Sequence, residues 1–305
     1  MQIVRGIHNL PPLSQRTVIA IGNFDGLHLG HQKILRLLIH KAQQSNLPSL
    51  VLTFYPHPAK VLKKRDLKMI QTLQQRIQEI QKFNPRILLI MNFDKNFSHL
   101  SSQDFIQKTI VRTLQAQEII VGQDFHFGRY REGNIQLLRS LSSQYQMSVH
   151  AVSSVRKNGT VISSSAIRDL LREGRVEKAH RFLGRPYEIN GKVFKGKARG
   201  KILGFPTANI RTDNEIIPPG VYLSKVKINS DELPALTNVG VCPTFSQNEI
   251  NVESYILDFN KSLYGKSINV RFLKKMRDEI KFNSPAELSS QIQKDIKTAK
   301  SFFQT

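Results

Sequence analysis

The chain has a single cysteine, Cys242, which excludes an internal disulfide framework and any zinc site built on several thiolates. One thiol also fits a reducing compartment. No apolar run reaches the roughly 18 residues of a membrane-spanning helix. The opening Met1-Gln2-Ile3-Val4-Arg5-Gly6-Ile7-His8 lacks the apolar stretch of a signal peptide. The expected setting is cytoplasmic, with no membrane partner. Glycine and proline are sparse, 17 and 13 of 305 residues, so collagen-like, low-complexity and disordered classes are poor fits. Acidic residues are scarce too: 23 against 45 lysines and arginines leaves a net charge of +22. That excess raises affinity for polyanions, from nucleotides to nucleic acids. The charge is spread along the chain, its densest run at 60–68 is short, and no recognised reading module is present. No specific nucleic-acid partner is therefore expected, and nothing in the sequence specifies an oligomeric state.

What is present is enough apolar material, 40% of residues, for packed cores, in a chain too long for one ordinary core. Apolar strand-like runs at 17–21, 50–54, 87–91, 119–121 and 149–152 alternate with amphipathic stretches at 32–44, 73–83 and 104–114. This alternation predicts an α/β domain with a parallel sheet, whose ligands bind beyond the carboxyl ends of the strands. After about residue 184 short alternating segments broken by Gly, Pro and Asn predict an antiparallel sheet or small barrel. The expected domains are 1–184 and 185–305. A C-terminal helix is signalled by Ser284 as cap, Pro285 in the first turn and Glu287 completing a capping box. Leu288, Ile292, Ile296, Ala299 and Phe303 form its stripe.

The first long helix is preceded by Gly22-Asn23-Phe24-Asp25-Gly26-Leu27-His28-Leu29-Gly30-His31, directly after the first predicted strand of the α/β region. Glycines let backbone approach a phosphate, a helix N-terminus offers unpaired N–H groups, and imidazoles add donors as a phosphorus centre becomes pentacoordinate. The arrangement suits nucleotidyl transfer; the alternatives are a zinc pair lacking a third ligand, or two histidines in a Gly-rich helix start. Ser163-Ser164-Ser165-Ala166-Ile167-Arg168 places hydroxyls at a helix start and a guanidinium one turn in, which reads as a phosphate clamp or as an ordinary Ser-rich cap.

Residues 196–209, Gly-Lys-Ala-Arg-Gly-Lys-Ile-Leu-Gly-Phe-Pro-Thr-Ala-Asn, are not a Walker loop, because the glycine spacing is one residue short and no Ser or Thr follows Lys201. Alone they read equally well as a surface hairpin. Glu253 shares a strand face with Tyr255, Leu257 and Phe259, where a carboxylate is poorly solvated. It suits a general base, or a strand-end salt bridge with one of many lysines.

Together these segments resemble the bifunctional riboflavin kinase/FAD synthetase family of bacteria over nearly the whole chain. The N-terminal signatures are residues 22–31, Thr53-Phe54-Tyr55-Pro56-His57-Pro58, Val121-Gly122-Gln123-Asp124-Phe125-His126-Phe127-Gly128, and the Ser164/Arg168 pair. The resemblance implies a Rossmann-like nucleotidyltransferase domain followed by an antiparallel β-barrel kinase domain. It implies ATP roles for Gly22, Phe24, Asp25, His28, Gly30, His31, Ser164 and Arg168, and flavin-side positions for His57, Pro58, Asp124 and Phe125. In the second domain Gly196, Gly200, Lys201 and Pro206 would bind ATP, Thr207 and Asn209 would hold Mg2+, and Glu253 would be the catalytic base. Arg277 and Glu279 would lie beside the flavin. Substrates and products would be riboflavin, FMN, FAD and ATP. The chain departs from the family at Tyr55, commonly an acid, at Ser165, commonly Thr, and at Tyr255, commonly His.

Overall fold

The computed structural model describes residues 1–62, 67–196, 204–243 and 248–304. The chain divides into two compact units, one of Met1–Lys68 with Leu73–Ser163, the other of Met69–Thr72 with Ser164–Thr305.

The first unit is built on six parallel strands, β1 (Gln2–Arg5), β2 (Thr17–Ile21), β3 (Ser49–Tyr55), β4 (Ile87–Asn92), β5 (Ala116–Gly122) and β6 (Ser148–Val152), in the order β1-β4-β3-β2-β5-β6. The helices are α1 (Leu29–Ser45), α2 (Pro58–Val61), α3 (Leu73–Gln81), α4 (Lys95–Ser98), α5 (Ser102–Asp104) and α6 (Ile135–Ser142). A two-residue hairpin, β7 (Arg156–Lys157) with β8 (Thr160–Val161), follows the sheet. Both faces of the sheet are covered, which is why β2 reads as an unbroken apolar run rather than an alternation. Val18 and Ala20 point to the side of Leu35, Leu38 and Ile77, and Ile19 and Ile21 to the side of Ile106, Ile110 and Leu138. Helix α1 stops where Asn46 turns left-handed and its N–H returns to Ala42 and Gln43 carbonyls.

Two features differ from the sequence expectation. Strand β1 adds an edge partner to β4, although only Val4 of its four residues is buried. The helix expected over 104–114 is a π-helix, Phe105–Thr113, closed by the Leu114 N–H on the Thr109 carbonyl. Phe105 and Ile110, five residues apart, are both buried in the same core.

In the second unit, α7 (Ser164–Arg172) and α8 (Val176–Leu183) precede six strands: β9 (Tyr187–Phe194), β10 (Ala208–Thr212), β11 (Gly220–Ile228), β12 (Asp231–Pro243), β13 (Asn248–Ile256) and β14 (Ser267–Arg277). They close an antiparallel barrel in the order β10-β13-β12-β11-β14-β9, which leaves no free edge. Val239, Val252, Val270 and Phe272 fill the interior with a buried hydroxyl chain, Ser224 to Thr237 at 2.7 Å and Thr237 to Ser254 at 2.8 Å. Each hydroxyl thereby satisfies the next, as burial requires. Residues 164–183 group with the barrel, ahead of the boundary expected at 184, because they are bonded to it. The Tyr222 hydroxyl donates to Pro219 at 2.5 Å and Gly174 at 3.4 Å, and the Lys275 N–H donates to Glu177 at 3.3 Å.

The C-terminal helix α9 (Pro285–Gln304) starts as its sequence predicts: Ser284 Oγ accepts the Glu287 N–H at 3.2 Å, and the Glu287 carboxylate accepts the Asn283 N–H at 3.0 Å. Ile296, Ala299 and Phe303 cover Leu223, Leu236 and Leu257 on the outside of the barrel.

Candidate active sites

Sheet order decides what meets in the first unit. β2 lies between β3 and β5, so the three motif loops following those strands stand side by side at the carboxyl edge. The strand order also reverses between β2 and β5, the switch point where such sheets open a ligand crevice. After Ile21 the chain turns tightly about Phe24, fully buried, with positive φ at Phe24 (52°), Gly26 (81°) and Leu27 (38°). Gly22 packs closely on this ring: a Cβ there would sit 3.1 Å from Phe24. His28 caps α1, its Nδ1 accepting the His31 N–H at 3.3 Å. An Nδ1 that accepts leaves the ring proton on Nε2, so His28 is set as an Nε2–H donor. The two imidazoles stack at 3.7 Å, and the Phe24 ring meets His31 edge-on at 5.4 Å. A Cβ on Gly30 would lie 3.1 Å from the His28 ring. Asp25 is buried, 1% exposed.

Beneath the loop lies Arg76, a residue the motif reading missed. Its Nη1 donates to the Asn23 carbonyl at 2.6 Å, which also accepts the Thr53 hydroxyl at 3.2 Å. Burial pulls the guanidinium below its ordinary pKa, while Asp25 and Tyr55 act in the opposite direction. The available signal was periodicity: 73, 76, 77 and 80 share one helix face, so Arg76 occupies the stripe of Leu73, Ile77 and Ile80.

On the loop after β3, His57 caps α2 by accepting the Ala59 N–H at 3.1 Å, and Pro58 opens that helix. Tyr55 is half exposed. On the loop after β5, Asp124 is exposed beside Gly122, and the Phe125 N–H closes a turn on the Gly122 carbonyl at 3.0 Å. Phe125 stacks on Phe127 at 5.4 Å, the outer end of an aromatic row continuing through Phe105 to Phe97. Ser164 and Arg168 lie one turn apart on α7, in the second unit, with Arg168 5% exposed.

In the barrel, register assembles the second site. Asn209 on β10, Glu253 on β13 and Asn238 on β12 are direct cross-strand partners and form one row. Their neighbours Val252 and Ser254 point inward, so the row is on the outer face. Glu253 accepts the Asn251 amide at 2.7 Å and the Thr207 hydroxyl at 3.3 Å. Phe205 packs edge-on against Tyr255 at 6.2 Å, which lays the segment leading through Pro206 to Thr207 across β13. Gly196 abuts Asn209: a Cβ there would be 2.6 Å from the amide carbon. Gly200 and Lys201 lie outside the described residues. Of the apolar strand face expected around Glu253 only Tyr255 is on the strand, packed in the cluster under α9. Leu257 and Phe259 are not part of the strand, since β13 ends at Ile256 and Asp258 turns left-handed, although Leu257 still packs in that cluster. Arg277 forks onto Asp295 of α9, with Nη2 at 2.7 Å and Nε at 3.1 Å, and Gln291 adds a bond to the same carboxylate. Glu279 is exposed and its carboxylate lies against Gly240.

Thr207, Asn209 and Glu253 offer only hard oxygen donors for a cation, the kind Mg2+ takes with one or two carboxylates plus substrate phosphates. Among the described residues no group of three His, Cys, Asp or Glu side chains could hold a metal.

Comparison with known proteins gives a two-part match. The FAD synthetase family matches residues 10–166 and the riboflavin kinase family residues 183–303. Among curated relatives, the bifunctional riboflavin kinase/FMN adenylyltransferase of Buchnera aphidicola subsp. Schizaphis graminum is 38% identical over 99% of both chains. Those of Haemophilus influenzae and Escherichia coli K12 are 38% and 34% identical, over 99% of this chain and 99% and 98% of theirs. A solved structure described as a macrolide-efflux protein from Streptococcus pneumoniae has a TM-score of 0.90 at 29% identity, over 98% of this chain and 99% of that one. No helix among the described residues is long and apolar enough to cross a membrane.

Proposed function

The chain belongs to the bifunctional riboflavin kinase/FMN adenylyltransferase family, and from that premise we propose how its two ATP-dependent transfers are divided among its residues. The chain makes FMN from riboflavin and FAD from FMN.

In the barrel, Glu253 accepts the proton of the ribityl 5′-hydroxyl as that oxygen attacks the γ-phosphorus of ATP and ADP leaves. Positioning and charge stabilisation supply most of such a catalysis. Thr207 and Asn209 would hold Mg2+, which when bound would neutralise phosphate charge. Gly196, Gly200, Lys201 and Pro206 cradle the nucleotide. Arg277 and Glu279 stand on the flavin side, Arg277 through the brace it makes with Asp295. The convergence of Thr207 with Glu253, 46 positions apart, beside Asn209 carries this assignment.

In the parallel-sheet unit, an FMN phosphate oxygen attacks the α-phosphorus of ATP and pyrophosphate leaves. His28, through Nε2–H, and His31 stabilise the pentacoordinate phosphorus. Gly22, Phe24, Asp25 and Gly30 shape the loop; for Ser164 and Arg168, on α7 of the second unit, family resemblance alone supports phosphate roles. His57, Pro58, Asp124 and Phe125 form the flavin side, Phe125 offering the outer ring of the aromatic row. The setting is the cytoplasm and the partners are the small-molecule substrates, with no specific nucleic acid among them.

The test is a chromatographic time course with purified protein, ATP and Mg2+, started once from riboflavin and once from FMN. Riboflavin should give FMN and then FAD, and FMN alone should give FAD. FMN without FAD would defeat the assignment of the loop at 22–31, and neither product would defeat both assignments.

A further inference from the structure

Arg76 is 2% exposed and has no part in the assignments above. Besides the Asn23 carbonyl at 2.6 Å, its Nη1 reaches Thr53 Oγ1 at 3.5 Å and the Phe54 carbonyl at 3.4 Å. One guanidinium nitrogen thus joins the end of β3 to the second residue after the end of β2. The node is incompletely paired: Arg76 Nε and Asn23 Oδ1 are buried without hydrogen-bond partners among the described residues. A desolvated cation with an unmade bond is a poor device for stability alone, since an apolar side chain of similar length fills the same space without stripping a charge of water. What the cation adds is a grip on oxygens belonging to two different loops. One loop leads within five residues to His28, the other within four to His57.

We propose that Arg76 is a positioning residue for adenylyl transfer, holding the Asn23 carbonyl and the end of β3 together so that the histidine loop and the Pro-His-Pro loop keep one fixed spacing. The inference rests on the reading of residues 22–31 as the ATP loop. Arg76 acts through backbone rather than on substrate, so its loss falls on turnover more than on binding. Displacements of about 1 Å in a reacting group can cost on the order of 100-fold in rate.

The test uses full-length R76M and R76K, scoring FAD formation from FMN and FMN formation from riboflavin. Thr53 still donates to Asn23 in R76M, so the loop keeps one of its two bonds. R76M should lower kcat for FAD formation about 100-fold with KM for ATP and FMN within about threefold, and R76K should recover in part, to about three- to tenfold below the parent. FMN formation should be unchanged in both. R76M within threefold of the parent, R76K no better than R76M, or a loss confined to KM would each overturn the proposal. If R76M does not fold, R76K decides alone, and an unreduced kcat for R76K sinks the idea. H28A run alongside separates the two readings: an active H28A defeats the loop assignment, whereas an inactive H28A beside an active R76M defeats only the positioning role.

Discussion

In the parallel-sheet unit, the loop at 22–31 brings glycines, a buried Phe and two stacked imidazoles together within ten consecutive residues, at the end of one strand. In the barrel, Asn209, Asn238 and Glu253 come from three strands and meet only because antiparallel register sets them in a row. The first arrangement is built from neighbouring residues: a helix cap within the loop orients the His28 ring. The second is global, and its geometry depends on closure of the whole barrel. A local site tolerates changes elsewhere in the sheet as long as the turn keeps its shape. A register-built site responds to anything that shifts one strand against another.

This contrast is open to experiment. The largest effect is expected at Glu253: E253Q should lower FMN formation by about 10²–10⁴-fold, leaving FAD formation from supplied FMN intact. The converse pair H28A/H31A should lower FAD formation by at least about 10²–10³-fold and spare the kinase. Separate assays of the two products check both, and equal loss of both activities in either variant would break the division of labour. A smaller effect is expected for G196A, whose new methyl would stand 2.6 Å from the Asn209 side chain. Overpacking of this kind costs about 1–3 kcal/mol, and here it should appear as a raised KM for ATP in FMN formation alone. The smallest is Y222F, which removes the hydroxyl bonded to Pro219 at 2.5 Å and should cost about 1 kcal/mol in denaturant melts at neutral pH. Burial, with Glu177 and Asp278 adding to it, holds the Tyr222 phenol above the ordinary 10.0. The folded state therefore keeps a proton that the unfolded chain releases, and the parent loses stability as pH rises past that value. The gap between parent and Y222F should narrow there, and a gap constant across alkaline pH would contradict this.

How far each feature could be read from sequence follows the same division. The strands at 17–21 and 87–91, the cap at Ser284 and the glycine loop before α1 are legible because alternation, capping and turn chemistry act over a few residues. Arg76 was missed because a charge on an amphipathic helix ordinarily faces water, and only its place in the apolar stripe marks it as buried. Arg277 is free in the sequence and bound to Asp295 in the fold, because α9 returns across the outside of the barrel. Asn238 reads in the sequence as architecture, yet stands directly opposite Glu253.

Local patterns in the chain were enough to specify a parallel α/β region, an antiparallel region after it, a phosphate-type loop at the first helix and a carboxylate beside Tyr255 on a strand. All of these follow from interactions between residues near one another in the chain. It took the folded chain to place β2 between β3 and β5, to turn the face bearing Glu253 outward, and to bring Thr207 to its carboxylate. Strand order and barrel register are set by packing between segments far apart in sequence, and no local pattern encodes which distant residue will stand opposite.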